Sequence, residues 1–379
     1  MVLVIAAMVL ALTFLTKDIT RRDRTVLPAT VQVQTEGNDF VVNRDGIRTV
    51  VRGSDGYSIA EGPDGAHILI RTYTVNRFLN AENLVGVAKE ASFIAIMAVG
   101  MAGIIIMGGI DLSIGSIYAL AGVFGGMALH SLQAAYAQGG NAGPSWLIAV
   151  PVGLLVPCLI GAGCGAINGI GTVGLRVHPF IITLGGMAIY RGIAFVITKG
   201  QSISEFPDTF TTGLFRASIG GVNPVPLGLM LLVGVAGAFV LRRTVFGRQT
   251  FAIGGNEVAA RYAGVPVGRN KVVLYTLGGF AAGLSAAMML GYYGAVSSAA
   301  GTGYELDVIA AAVVGGASLS GGRGSALGAM LGAIIIQLIN NAITVLEIDE
   351  NFKQIIIGLA IVIAVVVDQA KNRLSGPGR

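Results

Sequence analysis

Long apolar segments alternate with short polar stretches along most of this chain. Most of the segments approach the roughly 20 residues that a helix needs to cross a bilayer, whereas the eighth and the last are shorter. The pattern predicts an all-α integral membrane protein with about ten transmembrane segments, some of them broken or short. The segments lie at 1–16, 84–107, 113–133, 146–173, 178–198, 223–241, 271–293, 306–319, 325–346 and 353–367.

Residues 17–76 follow a different pattern, in which apolar and polar residues alternate as they do in half-buried strands. Asp-Gly between alternating runs favours tight hairpins. The alternation is punctuated by Asp45-Gly46, Asp55-Gly56 and Asp64-Gly65. We therefore expect a small β-rich insertion here, folded as a meander of hairpins. A flexible linker is the alternative, which the frequent Val, Ile and Tyr residues disfavour.

Composition supports a membrane protein and excludes other classes. Hydrophobic residues make up 54% of the chain and charged residues 12%, against about 25% charged in typical soluble domains. The 57 glycines suit packed membrane helices, where small residues let backbones approach. No basic run is interleaved with aromatic residues, so nucleic-acid binding is not expected. The three histidines are scattered, and the two cysteines, Cys158 and Cys164, do not form a metal-binding motif. The sequence therefore predicts neither a metal site nor a cofactor.

Loop charges predict the orientation. The loop near 242–270 is rich in arginine and is cytoplasmic by the positive-inside rule, whereas the loops near 130–145 and 294–305 contain no Lys or Arg. Counting outward places the insertion on the periplasmic face, although the basic residues directly after the first segment argue locally for the reverse. The predicted organisation is a first transmembrane segment (1–16), the β-rich insertion (17–76), a transmembrane core (77–370) and a cytoplasmic tail (371–379).

The stretch Leu319-Ser320-Gly321-Gly322 is one residue short of a signature found in ATPase subunits of ABC transporters. An ATPase also needs a phosphate-binding loop with Gly-Lys-Ser or Gly-Lys-Thr, and the chain contains neither. Instead, "GGASLSGG" at 315–322 matches "GGIDLSIG" at 108–115 in five of eight positions. The stretch is therefore interpreted as half of a duplicated membrane element, and the chain is not expected to bind ATP.

The cytoplasmic loop contains the features of a short helix. Asn256 can cap its start, Glu257 favours its first turn, and Gly264 followed by Pro266 can end it. The resulting helix of about two turns, lying between two membrane segments, can dock on a partner and transmit motion. A mere connector is the alternative interpretation.

Several stretches together resemble the permease subunits of bacterial ABC importers for ribose and related monosaccharides, a pattern that the galactose, xylose and autoinducer-2 importers share. They are "GGIDLSIGS", "HPFIITLGGMAIYRG", "FAIGGNEVAARYAGVPVGRNK" and "GYELDVIAAAVVGGASLSGGRGSALGAMLGAIII". The resemblance covers roughly residues 78–370, and residues 17–76 depart from the family's pattern.

The resemblance implies a non-enzymatic transport subunit of the bacterial inner membrane that works by alternating access and needs no cofactor. Its implied partners are a separate ATPase subunit, a periplasmic solute-binding protein, a second permease copy (identical or related) and membrane lipid. The residues implied to couple the chain to the ATPase are Gly255, Asn256, Glu257, Ala260, Arg261 and Gly264.

Polar residues inside or beside apolar segments have two open interpretations. They line the translocation path, or they lock helix ends as caps, where the helix dipole favours anions. The residues are Asp111, Ser113, Asn168, Thr183, Glu305 and Asp307. Two alternatives to a sugar importer also stay open. One is an ion-coupled secondary transporter or channel that acts without an ATPase, and the other is an importer of branched-chain amino acids or nucleosides.

Overall fold

The computed structural model describes residues 1–28, 31–44, 47–62, 66–140 and 143–374. Two compact units divide the described chain: Val9–Leu84 forms one, and the remaining residues form the other. The second unit carries the candidate functional site.

The smaller unit contains two antiparallel three-stranded sheets. One has the order β1-β6-β5 and the other the order β2-β3-β4. Leu27, Val31 and Val42 are buried in a small core between strand side chains. The strands are β1 (Asp18–Leu27), β2 (Gln32–Glu36), β3 (Asp39–Arg44), β4 (Ile47–Arg52), β5 (Tyr57–Glu61) and β6 (His67–Asn76).

The expected hairpin at Asp55-Gly56 is wrong. This pair joins β4 to β5, which belong to different sheets, through a short 3-10 turn that ends at Gly56 with φ 82°. The simple meander is also wrong, because β1 pairs with the distant β6 along its whole length. The pairs Asp45-Gly46 and Asp64-Gly65 lie outside the described residues.

Seven helices among the described residues are long and apolar enough to cross a membrane. They are α2 (Ala81–Ile106), α3 (Ile114–Gln138), α4 (Trp146–Gly174), α5 (Pro179–Thr198), α6 (Pro224–Arg243), α9 (Val267–Tyr293) and α11 (Ala326–Val345). The other three predicted segments coincide with α1 (Val2–Leu15), α10 (Tyr304–Val314) and α12 (Phe352–Leu374), whose apolar stretches are shorter. The count of ten therefore stays a prediction, while the helical membrane fold is clear.

Two further helices fill the predicted cytoplasmic loop: α7 (Val245–Gly255) and α8 (Glu257–Tyr262). The short strands β7 (Ile203–Ser204) and β8 (Ala295–Val296) pair antiparallel outside the helices. Helices α2, α3 and α9 are mostly buried, whereas α5 and α6 expose most of their apolar surface. That distribution suits a bundle with α2, α3 and α9 at its centre and with lipid against α5 and α6.

Glycines bring α4 and α9 into direct backbone contact. A Cβ on Gly161 would come 2.2 Å from the carbonyl oxygen of Gly279, and a Cβ on Gly283 would come 2.2 Å from that of Pro157. Any side chain at these positions would push the two helices apart, so the glycines set their separation. The contact runs antiparallel and brings the end of α4 beside the start of α9, where the candidate site opens.

Candidate functional site

The two copies of the sequence repeat form two helix breaks of the same geometry. Helix α2 ends at Ile106 and α10 ends at Val314. After each end, two consecutive N–H groups bond back to carbonyls three and five residues earlier, at 2.8 and 2.9 Å in both copies. These bonds satisfy the last carbonyls of the helix and require a left-handed residue, which is Gly108 (φ 88°) in one copy and Gly316 (φ 97°) in the other.

The second break, residues 315–325, touches the end of α2 directly before the first break, residues 107–113. The N–H of Gly322 in the second break donates a hydrogen bond to the carbonyl oxygen of Ile106, at 2.8 Å. The Leu-Ser-Gly-Gly stretch is thus packed against the end of α2, in the connection between α10 and α11. This placement agrees with its interpretation as part of a duplicated membrane element.

A chain of buried hydrogen bonds starts at the first break. Oδ1 of Asp111 accepts bonds from the N–H of Ser113 at 2.8 Å and from its hydroxyl at 2.6 Å. Nδ2 of Asn168 on α4 donates to Oγ of Ser113 at 2.7 Å. The hydroxyl of Tyr190 on α5 donates to Oδ1 of Asn168 at 3.0 Å. The chain of bonds therefore ties the break to two membrane helices.

Two more hydroxyl groups converge on the same break through the carbonyl oxygen of Ile110. Oγ1 of Thr183 lies 3.5 Å from it, and the hydroxyl of Tyr275 on α9 donates to it at 3.2 Å. We call this group the polar cluster. All of its members are buried. They are Asp111, Ser113, Asn168, Thr183, Tyr190 and Tyr275.

One acceptor in the polar cluster is unused. Oδ2 of Asp111 is buried and has no hydrogen-bond partner among the residues that the structure describes. Buried polar atoms are nearly always bonded, so this oxygen marks a place in the polar cluster where a further hydrogen bond can form. Packing around the cluster is tight, because a Cβ on Gly186 would come 2.9 Å from Oδ1 of Asn168.

The other two acidic residues predicted for the path are not members of the polar cluster. Glu305 and Asp307 are in the first turn of α10, where the free N–H groups of a helix favour anions. Asp307 lies 3.7 Å from Nζ of Lys353 on α12. Oε2 of Glu305 lies against the start of α3, at 2.5 Å from where a Cβ on Gly115 would be. Their surroundings fit the helix-end interpretation.

The predicted short helix in the loop is α8. Oδ1 of Asn256 accepts a bond from the N–H of Ala259 at 2.9 Å and caps its start. Glu257 pairs with Arg261 at 3.0 Å and with Lys271 at 2.8 Å. Burial raises the pKa of Glu257, but the bonds from Lys271 and Arg261 outweigh it, and the net pKa is lowered. Gly264 follows α8 with φ 78°, as its predicted role at the helix end requires.

Helix α8 has one anchored face and one exposed face. Ala260 is buried in an apolar group with Ile104 and Met107 at the end of α2. On the other side, Val258 is 64% exposed and Tyr262 is 90% exposed. Gly255 is exposed too, and a Cβ on it would meet no atom within 4 Å. The exposed face is apolar and aromatic, as docking surfaces often are.

A cavity of about 860 Å³ lies beside α8. Its walls come from the first break, from the α4–α5 loop and from the start of α9. Thr172 and Tyr275 line the cavity. Tyr275 belongs to the polar cluster, and Oγ1 of Thr172 donates a hydrogen bond to the carbonyl oxygen of Asn168, another member, at 2.8 Å. The cavity therefore ends next to the polar cluster. We call it the basic cavity, because its charged residues are Arg176, Arg261, Arg269, Lys271 and Glu257.

A family model described as "Branched-chain amino acid transport system / permease component" matches residues 83–365. The chain belongs to this permease family. The match contains both breaks, the polar cluster and α8, and it leaves out the six strands of the smaller unit. With seven candidate spans, the permease is a multi-pass membrane protein.

Curated relatives of the permease are sugar permeases by name. The "Ribose import permease protein RbsC" of Haemophilus influenzae is 36% identical over 77% of this chain and 86% of its own length. The "D-allose transport system permease protein AlsC" of Escherichia coli is 34% identical over 77% and 85%. The "Galactose/methyl galactoside import permease protein MglC" of Escherichia coli is 37% identical over 78% and 88%. No solved structure matches the permease.

Sequence reasoning found four members of the polar cluster and missed two, Tyr190 and Tyr275. Both lie within apolar segments, where a tyrosine is normally interpreted as an aromatic core residue. A buried tyrosine hydroxyl needs a hydrogen-bond partner, however, and this need could have indicated a place in a polar cluster. The exposed Val258 and Tyr262 of α8 were also not among the predicted coupling residues. Within the described ranges, no three His, Cys, Asp or Glu side chains lie together as metal ligands would.

Proposed function

We propose that this permease is the transmembrane subunit of an ATP-driven ABC importer for a monosaccharide in the bacterial inner membrane. The observation that carries the proposal is the first break, where the polar cluster and the anchored face of α8 meet at one helix end. Movement of α8 on the cytoplasmic side would act directly on the residues around the path. The names of the three relatives above support the sugar class.

The polar cluster suits a neutral, hydroxyl-rich solute. A sugar needs hydrogen-bond donors and acceptors rather than an opposite charge, and Oδ2 of Asp111 is an acceptor without a partner among the described residues. We propose that Asp111, Ser113, Asn168 and Thr183 border the translocation path. In the same proposal Glu305 and Asp307 lock the start of α10.

An amino acid is the second candidate substrate, because the family description names branched-chain amino acids. A zwitterion needs a cation for its carboxylate and an anion for its ammonium group. The polar cluster offers one carboxylate and hydroxyl and amide groups, with no Lys or Arg among its members. Its chemistry therefore favours the sugar.

The proposed ATPase partner is supported by the exposed face of α8, and the other partners are supported by the permease family. The ATPase docks on α8 through the exposed face around Gly255, Asn256, Glu257 and Arg261, while Ala260 and Gly264 hold the shape of that face. A periplasmic binding protein delivers the sugar, and a second permease copy completes the path. ATP hydrolysis occurs in the separate ATPase chain. Closure of the ATPase would move α8 and rock the membrane halves between outward and inward states.

We propose ten membrane segments for the whole chain, with α1, α10 and α12 as the short ones. The six strands then form an insertion on the periplasmic side. Ser58 on β5 is exposed, whereas the native Cys158 and Cys164 are buried, so a Ser58→Cys variant gives a clean probe. In intact spheroplasts an impermeant maleimide should label this cysteine. Labelling only after permeabilisation would show that α1 has the opposite orientation.

Co-purification tests the proposed function. The permease is expressed with an ABC ATPase and a periplasmic sugar-binding protein from the same organism, captured by a tag on the permease, and placed in nanodiscs. We expect the ATPase to co-purify, and its ATP hydrolysis to rise when sugar-loaded binding protein is added. An ATPase that does not associate with the permease would contradict the proposal and would favour the ion-coupled transporter.

A further inference from the structure

An apolar groove opens beside the basic cavity and shares part of its wall. The groove has a volume of about 360 Å³ and lies between the end of α4 and the start of α9. Its lining is almost entirely apolar, apart from Arg269. Val173, Gly268 and Arg269 line both the groove and the basic cavity. The groove and the basic cavity therefore lie side by side, and together they offer an apolar part and a charged part.

The charged part has an excess of positive charge. Four basic side chains, Arg176, Arg261, Arg269 and Lys271, line the cavity with one acidic side chain, Glu257. Glu257 pairs with Arg261 and Lys271. No hydrogen bond or ion pair is recorded for Arg176 or Arg269 within the described part of the chain, and both are exposed. Two arginines on either side of the α4–α9 contact are thus available to an anion.

The apolar part faces outward from the bundle. Ile170 on α4 lines the groove and is 60% exposed, on a helix that is one of the candidate membrane spans. The loop charges put this end of α4 and α9 on the cytoplasmic side. A groove open to acyl chains beside a pair of arginines at the membrane surface matches a phospholipid in shape and polarity.

We propose that this combined site binds an anionic phospholipid. The headgroup phosphate lies between Arg176 and Arg269, and one acyl chain lies along the groove past Ile170, Val173 and Gly174. Basic pockets between membrane helices on the cytoplasmic side bind such headgroups. A free phosphate would use only the cavity and would leave the apolar groove without a role, which is why a lipid is the occupant.

The bound lipid would also affect α8. The cavity is bounded on one side by the Glu257, Arg261 and Lys271 pairs of α8 and α9, and on the other by the α4–α5 loop. A phosphate in between would hold these elements together. That consequence rests on the proposed coupling role of α8, whereas binding of the lipid does not.

Lipid binding is measured on the purified full-length permease, without the ATPase, by native mass spectrometry and by thermal unfolding. The probes are phosphatidylglycerol and phosphatidylcholine with the same acyl chains, inorganic phosphate, and glycerol 3-phosphate. We expect phosphatidylglycerol to bind and to raise the unfolding temperature more than phosphatidylcholine, and the two soluble phosphates to have no effect. Equal effects of the two lipids, or a shift produced by either soluble phosphate alone, would overturn the proposal.

Three variants separate the two parts of the site. Replacing both Arg176 and Arg269 by Gln should weaken phosphatidylglycerol binding roughly thirtyfold, since each arginine near an anionic lipid contributes about fivefold. Gly174→Leu should weaken phosphatidylglycerol binding, because Gly174 lines the groove and the larger side chain would fill it. The fold should tolerate the change, since a Cβ at Gly174 meets no atom within 4 Å. Arg243→Gln, at the end of α6, is the matched control and should bind like the wild type. Wild-type binding by the double variant or by Gly174→Leu would contradict the site.

Discussion

Gly254, near the end of α7, lies so close to Ile106 at the end of α2 that a Cβ on it would come 1.8 Å from the Ile106 carbonyl oxygen. The same oxygen accepts the N–H of Gly322 at 2.8 Å. The coupling loop and the second copy of the repeat therefore meet at the last carbonyl group of α2, directly before the first copy. A displacement of α7 would reach the second break directly and the first break through Ile106.

Substituting Gly254→Ala should uncouple transport. The added methyl group cannot fit against the Ile106 carbonyl, so the end of α7 must move away from both breaks. We expect ATP-driven uptake to fall by about tenfold or more, which corresponds to ~1.4 kcal/mol, while the ATPase still co-purifies. Uptake into vesicles and ATP hydrolysis are measured on the same complex.

Gly192→Ala is the matched control for that substitution. Gly192 is an interior residue of α5, and a Cβ on it would meet no atom within 4 Å. The Gly192→Ala variant should therefore transport like the wild type. If Gly254→Ala also transports normally, the contact with Ile106 does not carry the coupling.

Substituting Glu257→Lys or Gly264→Pro should also uncouple transport from hydrolysis and leave the membrane part folded. Lys at 257 would replace two ion pairs by repulsion from Arg261 and Lys271, at a cost of a few tenths to about 1 kcal/mol in helix stability. Pro at 264 cannot adopt φ 78°, because its ring holds φ near −65°. Retained transport and ATPase binding in both variants would reduce α8 to a connector.

The polar cluster is tested by two adjacent glycines on α5. Gly186→Ala would place a methyl group 2.9 Å from Oδ1 of Asn168 and should disturb the hydrogen bonds to Ser113 and Tyr190. Gly185→Ala is the control, since Gly185 is exposed and its Cβ would meet nothing within 4 Å. We expect lower sugar uptake for Gly186→Ala only, at equal membrane expression. Equal uptake by both variants would place the path away from Asn168.

Two substitutions of Asp111 distinguish its two possible roles, bordering the translocation path or locking a helix end. Asp111→Asn keeps an Oδ1 acceptor for both bonds from Ser113, but it replaces the unused acceptor Oδ2 by an amide donor. Asp111→Ala removes both. If the residue borders the path, the Asn variant should fold, dock the ATPase and lose most sugar uptake. If it only locks the helix end, the Asn variant should transport normally and the Ala variant should not.

The sequence predicted the local features of this permease well. The capped helix α8, the left-handed Gly264 and the breaks in both repeat copies follow from short-range rules that relate a residue to its neighbours. The repeat alignment is one residue out of register, because it pairs Gly108 with Gly315, whereas the left-handed positions are Gly108 and Gly316. Matching letters does not show where a helix ends.

Long-range pairing was beyond the same rules. The Asp55-Gly56 signal concerns adjacent strands, and it could not indicate that β1 pairs with β6 instead. Likewise Asp111, Ser113, Asn168 and Thr183 were predicted as polar residues in apolar segments, but their mutual contacts depend on how α4 and α5 pack on the first break. Glu305 and Asp307 gave the same signal, but they lie in the first turn of α10 and are not members of the polar cluster.

The central claim, a sugar importer driven by ATP, is tested most directly by uptake into proteoliposomes. The permease is reconstituted with an ABC ATPase and a sugar-binding protein from the same organism, and uptake of labelled ribose, allose and galactose is followed with ATP, without ATP, and with an imposed proton or sodium gradient. We predict uptake of at least one of these sugars that requires ATP and the ATPase and does not respond to the gradients. Gradient-driven uptake by the permease alone, or ATP-driven uptake of leucine in place of every sugar, would contradict the account.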